Sequence, residues 1–146
     1  MSETFDDRDM ALGSGIAAFE AKHFARAAQL LSPLAAEGEP EAQYRMAIML
    51  QNGLGMTENP ALAFRYMRAA AEAGNGYAQH GLGFMYLEGE CTEKDPATAA
   101  AWFRKAAEQG LQGSMTTLAL LYEQGRGVEK DPEEAQRWYR LAGFEM

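Results

Sequence analysis

The chain has 146 residues, 13 basic against 21 acidic side chains, and a formal net charge of -8. Neutralising a phosphate backbone takes clustered Lys and Arg, and here the basic residues are scattered, which argues against a nucleic-acid partner. No apolar run approaches the roughly 18 residues of a membrane span, and a single cysteine closes no internal disulfide.

Residues 1–9 are polar and acidic and are expected to form a flexible end. A signal peptide would be basic and then hydrophobic. The chain as written therefore reads as cytoplasmic, or as periplasmic or secreted if a leader has been removed. Residues 10–38 read as a helix pair. Gly15, Ala18, Phe24 and Ala27 follow the small, apolar, aromatic, small spacing of a tetratricopeptide unit, and a second register through Leu12, Gly13 and Ile16 stands beside it. Pro33 falls inside the second helix, where it removes a backbone bond and crowds the preceding turn, so a kink or a stop near Ser32 is expected.

Beyond this pair the sequence repeats itself. Ala42, Met46, Gly53, Asn59, Pro60, Ala63, Tyr66 and Arg68 recur 36 residues on as Ala78, Leu82, Gly89, Asp95, Pro96, Ala99, Trp102 and Arg104, and again as Ser114, Leu118, Gly125, Asp131, Pro132, Ala135, Trp138 and Arg140. A fixed period of roughly 20 to 50 residues marks stacked units, none of which can bury its apolar face alone. The copies span 42–77, 78–113 and 114–146, one structural domain together with the first pair. In each, residues at helical spacing such as Leu82, Met85 and Tyr86 form the buried stripe of a helix A. A glycine then closes it. Asn59-Pro60, Asp95-Pro96 and Asp131-Pro132 open a helix B, the side-chain oxygen accepting from free backbone N–H groups and the proline losing a donor that had no partner. The expected helices are 41–52, 60–73, 77–88, 96–109, 113–124 and 132–141, which with the first pair makes about eight and no strand. Trp102 and Trp138, at the place of Tyr66, read as core between repeats, and the many methionines as gap-fillers.

The pattern A-x3-L-G/A-x2-Y/L-x2-G-x-G, followed by D/N-P-x2-A-x2-W/Y-Y/F-x-K/R-A-A-x2-G, resembles the Sel-one-like repeat (SLR) family, relatives of the tetratricopeptide repeat. The resemblance implies an all-α, right-handed α/α superhelical solenoid, and a scaffold or adaptor without shared catalytic residues or a cofactor. With one cysteine, the chain departs from the disulfide-pinned branch of that family. Cys91 stands where the flanking copies have Gly55 and Gly127, a place expected to need a left-handed backbone.

Candidate chemistry is thin. Gly53-Leu54-Gly55 and Gly125-Arg126-Gly127 lack the strand that precedes a phosphate cradle, and the repeat explains them as loops. His80 and Cys91 share one repeat and supply the raw material of thiol catalysis, with no third group evident to orient the histidine. Two histidines and one cysteine are too few for a structural zinc site. Transferring tetratricopeptide geometry places Ile16, Phe19, Glu20, Tyr44, Ile48, Gln51, Asn52, Tyr77, His80, Phe84, Leu87, Glu88, Thr116, Leu120 and Glu123 on a concave helix-A face. Two accounts of that apolar row stand: Ile48, Phe84 and Leu120 touch one another in a tight superhelix, or the row is a groove for a partner polypeptide, aromatic at its floor and acidic at its rim, suited to a basic or amphipathic segment. The leading function is a protein-interaction module. A cognate inhibitor or immunity-type protein is the alternative within the binding class, and an enzyme using Cys91 and His80 the alternative outside it. Because a solenoid needs a polar cap and the last helix ends with Trp138, Leu141 and Phe144 to cover, self-association or partner contact is expected there.

Overall fold

The computed structural model describes residues 3–145, with side chains from residue 7. Among these there are eight α-helices and no strand: α1 (Glu3–Glu20), α2 (Phe24–Ala36), α3 (Pro40–Asn52), α4 (Pro60–Glu72), α5 (Gly76–Glu88), α6 (Pro96–Glu108), α7 (Gln112–Gln124) and α8 (Pro132–Leu141). From α3 onward every boundary falls within one residue of its expected place. The chain divides into two compact units, one ending at Asn75 and one beginning at Gly76.

The first unit holds α1 to α4, and it differs from expectation at the start of α1 and in one of the two outcomes expected at Pro33. Helix α1 begins at Glu3, so residues expected to fray are helical. Arg8 of α1 reaches Glu37 beyond the end of α2 at 2.8 Å. Helix α2 runs through Pro33 to Ala36 without stopping. Pro33 is exposed, whereas Leu31, Leu34 and Ala35 on either side of it are buried, so core packing carries the helix across the lost hydrogen bond. Gly15 settles the register of this pair. A β-carbon on it would lie 2.5 Å from Leu31 Cδ2, whereas one on Gly13 would meet nothing within 4 Å.

The second unit holds α5 to α8 around Leu82, Met85, Phe103, Leu118, Leu121 and Trp138, all 4% exposed or less. Burying such a side chain fully contributes about 1.5–3 kcal/mol, so these six account for much of the unit's hold. Phe103 packs against Gly83, where a β-carbon would come within 2.9 Å of the ring. The neighbouring copies place Ala47 and Met67, then Ala119 and Tyr139, at the same two positions. Trp138 lies inside this core and is therefore not part of an open end, in contrast to Leu141 and Phe144, which are 56% and 50% exposed. Trp102 is only half-buried, with Lys105 Nζ 5.2 Å from its ring centroid.

The helix B caps form as their sequence requires. Asn59, Asp95 and Asp131 accept from the backbone N–H of Leu62, Thr98 and Glu134 at 3.2, 3.2 and 3.1 Å. Their own N–H groups donate back to Leu50, Tyr86 and Tyr122 near the end of helix A, which closes each inter-helix loop on itself. The Thr98 hydroxyl and N–H hold the exposed Asp95 carboxyl below its ordinary pKa. The loop glycines have two tasks. Gly127 has φ +77, and a β-carbon there would lie 2.2 Å from the Pro96 carbonyl oxygen. Gly55 likewise has φ +71 and sits against the backbone of Phe24 and Ala25. Cys91 occupies the equivalent place with φ 65, the left-handed conformation expected of it.

Candidate functional site

The helix-A residues are considered within each unit. In the first, Ile16 and Phe19 of α1 and Tyr44, Ile48 and Gln51 of α3 are half-buried, with Glu20 and Asn52 exposed. Phe19 meets Phe24 edge-to-face, their centroids 5.8 Å apart. The Arg45 guanidinium lies 5.9 Å from the Phe19 ring centroid and 5.7 Å from that of Tyr44. Glu41 holds it there at 2.6 Å. A cation at such distances from ring faces is attracted by their quadrupoles. Arg45 was not among the residues expected on this face; the Glu41, Arg45 spacing of one helical turn was the available signal.

In the second unit α5 presents Tyr77, His80, Phe84 and Glu88, and α7 presents Thr116, Leu120 and Glu123. Tyr77, Phe84 and Leu120 are 63%, 39% and 41% exposed, which is high for large apolar side chains in a packed helical protein. His80, Phe84 and Phe103 form an edge-to-face cluster with centroids 4.9 to 5.4 Å apart. Phe103 is wholly buried beneath the other two. Leu87 does not belong to this surface. It is 4% exposed, in the core cluster with Val128 packed nearby, because the loop between α7 and α8 folds over the end of α5 and Arg126 donates to the Leu87 carbonyl at 3.1 Å.

His80 has the orienting group that its sequence neighbourhood did not reveal. Its Nδ1 lies 2.6 Å from Ser114 Oγ, which comes from the next helix A. Burial pushes the imidazole pKa below its ordinary value. Ser114 is 0% exposed and its hydroxyl is engaged with His80, so this contact positions the ring. With Nδ1 engaged by Ser114, the thiol pairing of His80 with Cys91 gains no geometric support. No group of three or more His, Cys, Asp or Glu side chains is placed to hold a metal among the described residues. No helix there is long and apolar enough to cross a membrane.

The profile of the Sel1 repeat matches residues 40–75, 76–111 and 114–143. The chain belongs to the Sel1 repeat family. Among solved structures, a Sel1 repeat protein from Oxalobacter formigenes is 34% identical with a TM-score of 0.82, over 88% of this chain and 53% of that one. A protective antigen present in uropathogenic Escherichia coli strains, displaying an SLR fold, is 29% identical with a TM-score of 0.87, over 97% of this chain and 31% of its own. The chain thus spans about half and about a third of those proteins. Helicobacter pylori cysteine rich protein B is 23% identical with a TM-score of 0.65, over 85% of this chain and 92% of that one, a likeness of fold alone. A search of the curated proteins finds no match. Eight helices, no strand among the described residues and these relatives make the Sel1 repeat chain an all-α solenoid protein. Sel1 repeat proteins generally act as protein-interaction modules, and as a family they are generally non-enzymatic scaffolds.

Proposed function

We propose that this Sel1 repeat chain is an adaptor whose helix-A faces receive a basic or amphipathic segment of a partner polypeptide. The observation that carries this reading is the exposure of Phe84 and Leu120 at corresponding positions of successive helix A elements, with Tyr77 about two turns before Phe84. Rings and branched chains left in water at this spacing gain free energy when a partner covers them. Glu88 and Glu123, exposed near the ends of α5 and α7, supply negative charge beside them, and the net charge of -8 favours approach of a cationic segment. In the first unit, Phe19, Tyr44 and Ile48 form a second face, with Arg45 already seated on its two rings. Contact through α8, with Leu141 and Phe144 as its exposed apolar groups, would add self-association.

The test is selection of random peptides on the immobilised chain, followed by binding measurements on variants shown by thermal melting to be folded at the assay temperature. Enriched peptides should combine Lys or Arg with spaced apolar residues, and Phe84→Ala should weaken them. Peptides that bind Tyr44→Ala, His80→Ala and Phe84→Ala as tightly as wild type would place the site elsewhere.

A further inference from the structure

Gly113 holds the place that Glu41 and Tyr77 hold in the two preceding copies. A glycine within a helix costs up to about 1 kcal/mol relative to alanine. Here the backbone does not call for it, since Gly113 is not among the positive-φ glycines. Packing does not call for it either, because a β-carbon there would meet only His80 Cε1, at 3.7 Å. What the missing side chain leaves is space. A cavity of about 290 Å³ opens at this point, lined among others by Tyr77, His80, Leu111, Gln112, Gly113 and Ser114.

The lining selects the occupant. Small-molecule sites run from about 300 to 1,000 Å³, so this cavity suits one side chain better than a whole ligand. Tyr77 offers an exposed ring and Leu111 a half-buried apolar chain, and the His80 ring faces Gly113 with its Cε1 edge. That edge is fixed, because Ser114 holds Nδ1 and Phe84 and Phe103 pack against the ring. Gln112 is likewise held, its side-chain amide donating to the Ala142 carbonyl. Burial disfavours the charged form of His80, which makes the cavity a poor site for a carboxylate. A wall that combines ring edges and apolar carbon with the Gln112 amide, and that carries no Lys, Arg, Asp or Glu, matches the face and edge of an aromatic side chain.

We propose that this cavity is an anchor pocket that takes a single aromatic side chain of the partner polypeptide, an inference that rests on the helix-A face being the partner-binding surface. A fixed, partly desolvated pocket at the head of an exposed apolar row is where an anchor contributes most to affinity. The row then guides the rest of the segment past Phe84 and Leu120.

The experiment uses the full chain. Random peptides are selected on it, and the affinities of the enriched peptides are measured by fluorescence anisotropy on wild type, Gly113→Tyr, Gly113→Ala and Phe84→Ala, each first checked by thermal melting. The enriched peptides are expected to share one aromatic residue. Gly113→Tyr, which restores the ring of the preceding copy, should weaken them by about thirtyfold or more. Changing that peptide residue to alanine should cost as much on wild type and nothing further on Gly113→Tyr. If Phe84→Ala weakens binding and Gly113→Tyr does not, the face is the site and the pocket is not its anchor. If neither weakens it, or no peptide is enriched, both readings fall. Should Gly113→Tyr not fold, Gly113→Ala carries the same test with a smaller loss, and full binding by it overturns the pocket.

Discussion

Phe103 packs against Gly83, so close that a β-carbon on the glycine would be 2.9 Å from the ring. The other copies balance the same contact differently, alanine at 47 and 119 facing methionine at 67 and tyrosine at 139. Gly83→Ala gains about 1 kcal/mol of helix propensity and forces an overpacked core that costs about 1–3 kcal/mol. The expected net effect is a loss of stability in urea denaturation. Gly83→Ala combined with Phe103→Met, the pairing of the preceding copy, should be more stable than the sum of the two single changes. Simple additivity would show that the ring and the glycine are not coupled.

Cys91 is a side-chain-bearing residue at φ 65. The left-handed conformation costs such a residue about 1–2 kcal/mol, and glycine returns about 0.4–1 kcal/mol of that as unfolded-chain entropy. Cys91→Gly should therefore be neutral to stabilising by up to about 1.6 kcal/mol, and Cys91→Val should be destabilising, both read as shifts of the urea midpoint. A clear loss on Cys91→Gly would mean that the thiol makes contacts worth more than the strain.

Phe84 touches His80 and Phe103 yet remains 39% exposed. Its removal should cost only about 1–2 kcal/mol of stability, less than a buried ring, and more than about 2 kcal/mol of peptide affinity. Glu88→Gln and Glu123→Gln should instead slow association and flatten its salt dependence. Stopped-flow rates at two ionic strengths separate these effects. Equal salt dependence in wild type and the double variant would remove the acidic rim from the account.

His80 makes stability depend on pH in a defined direction. Burial lowers its pKa in the folded chain, so below the ordinary value near 6.5 the unfolded chain binds a proton that the folded one refuses. Stability should be unaffected by this group above pH 6.5, fall as the pH drops through 6.5, and stop falling once the folded-state pKa is reached. Melting temperatures at pH 7.5 and 5.5 should therefore differ more for wild type than for His80→Gln. The same difference in both would mean that other groups dominate this range.

Much of this was legible before any coordinates. The Asp-Pro and Asn-Pro pairs named the first residue of each helix B, because a cap and a proline act locally and leave little choice of start. Cys91 could be assigned its backbone conformation from Gly55 and Gly127 alone. What escaped was set by contacts distant in sequence. Ser114 orients His80 from 34 residues away. Leu87 shares a helical face with His80, yet Arg126 and the loop that carries it bury it in the core. At α2 the sequence allowed a kink or a stop at the proline, and the helix does not stop, because the buried residues on either side carry it through. The cavity at Gly113 was invisible as well, since an unneeded glycine in one sequence reads as ordinary variation until the space around it is measured.

The seat of Gly127 on the Pro96 carbonyl bears on how such a chain can change in length. Surface loops usually tolerate extra residues at little cost. These loops are docked: one residue inserted between Pro96 and Gly127 would turn α6 or α7 by about 100° or lift the glycine from its seat. An insertion of 36 residues there brings a new glycine to the Pro96 carbonyl and a new carbonyl to Gly127, so that every glycine keeps a seat. Growth and loss in this lineage should then proceed by whole periods, and partial-length products of recombination should be cleared as misfolded chains.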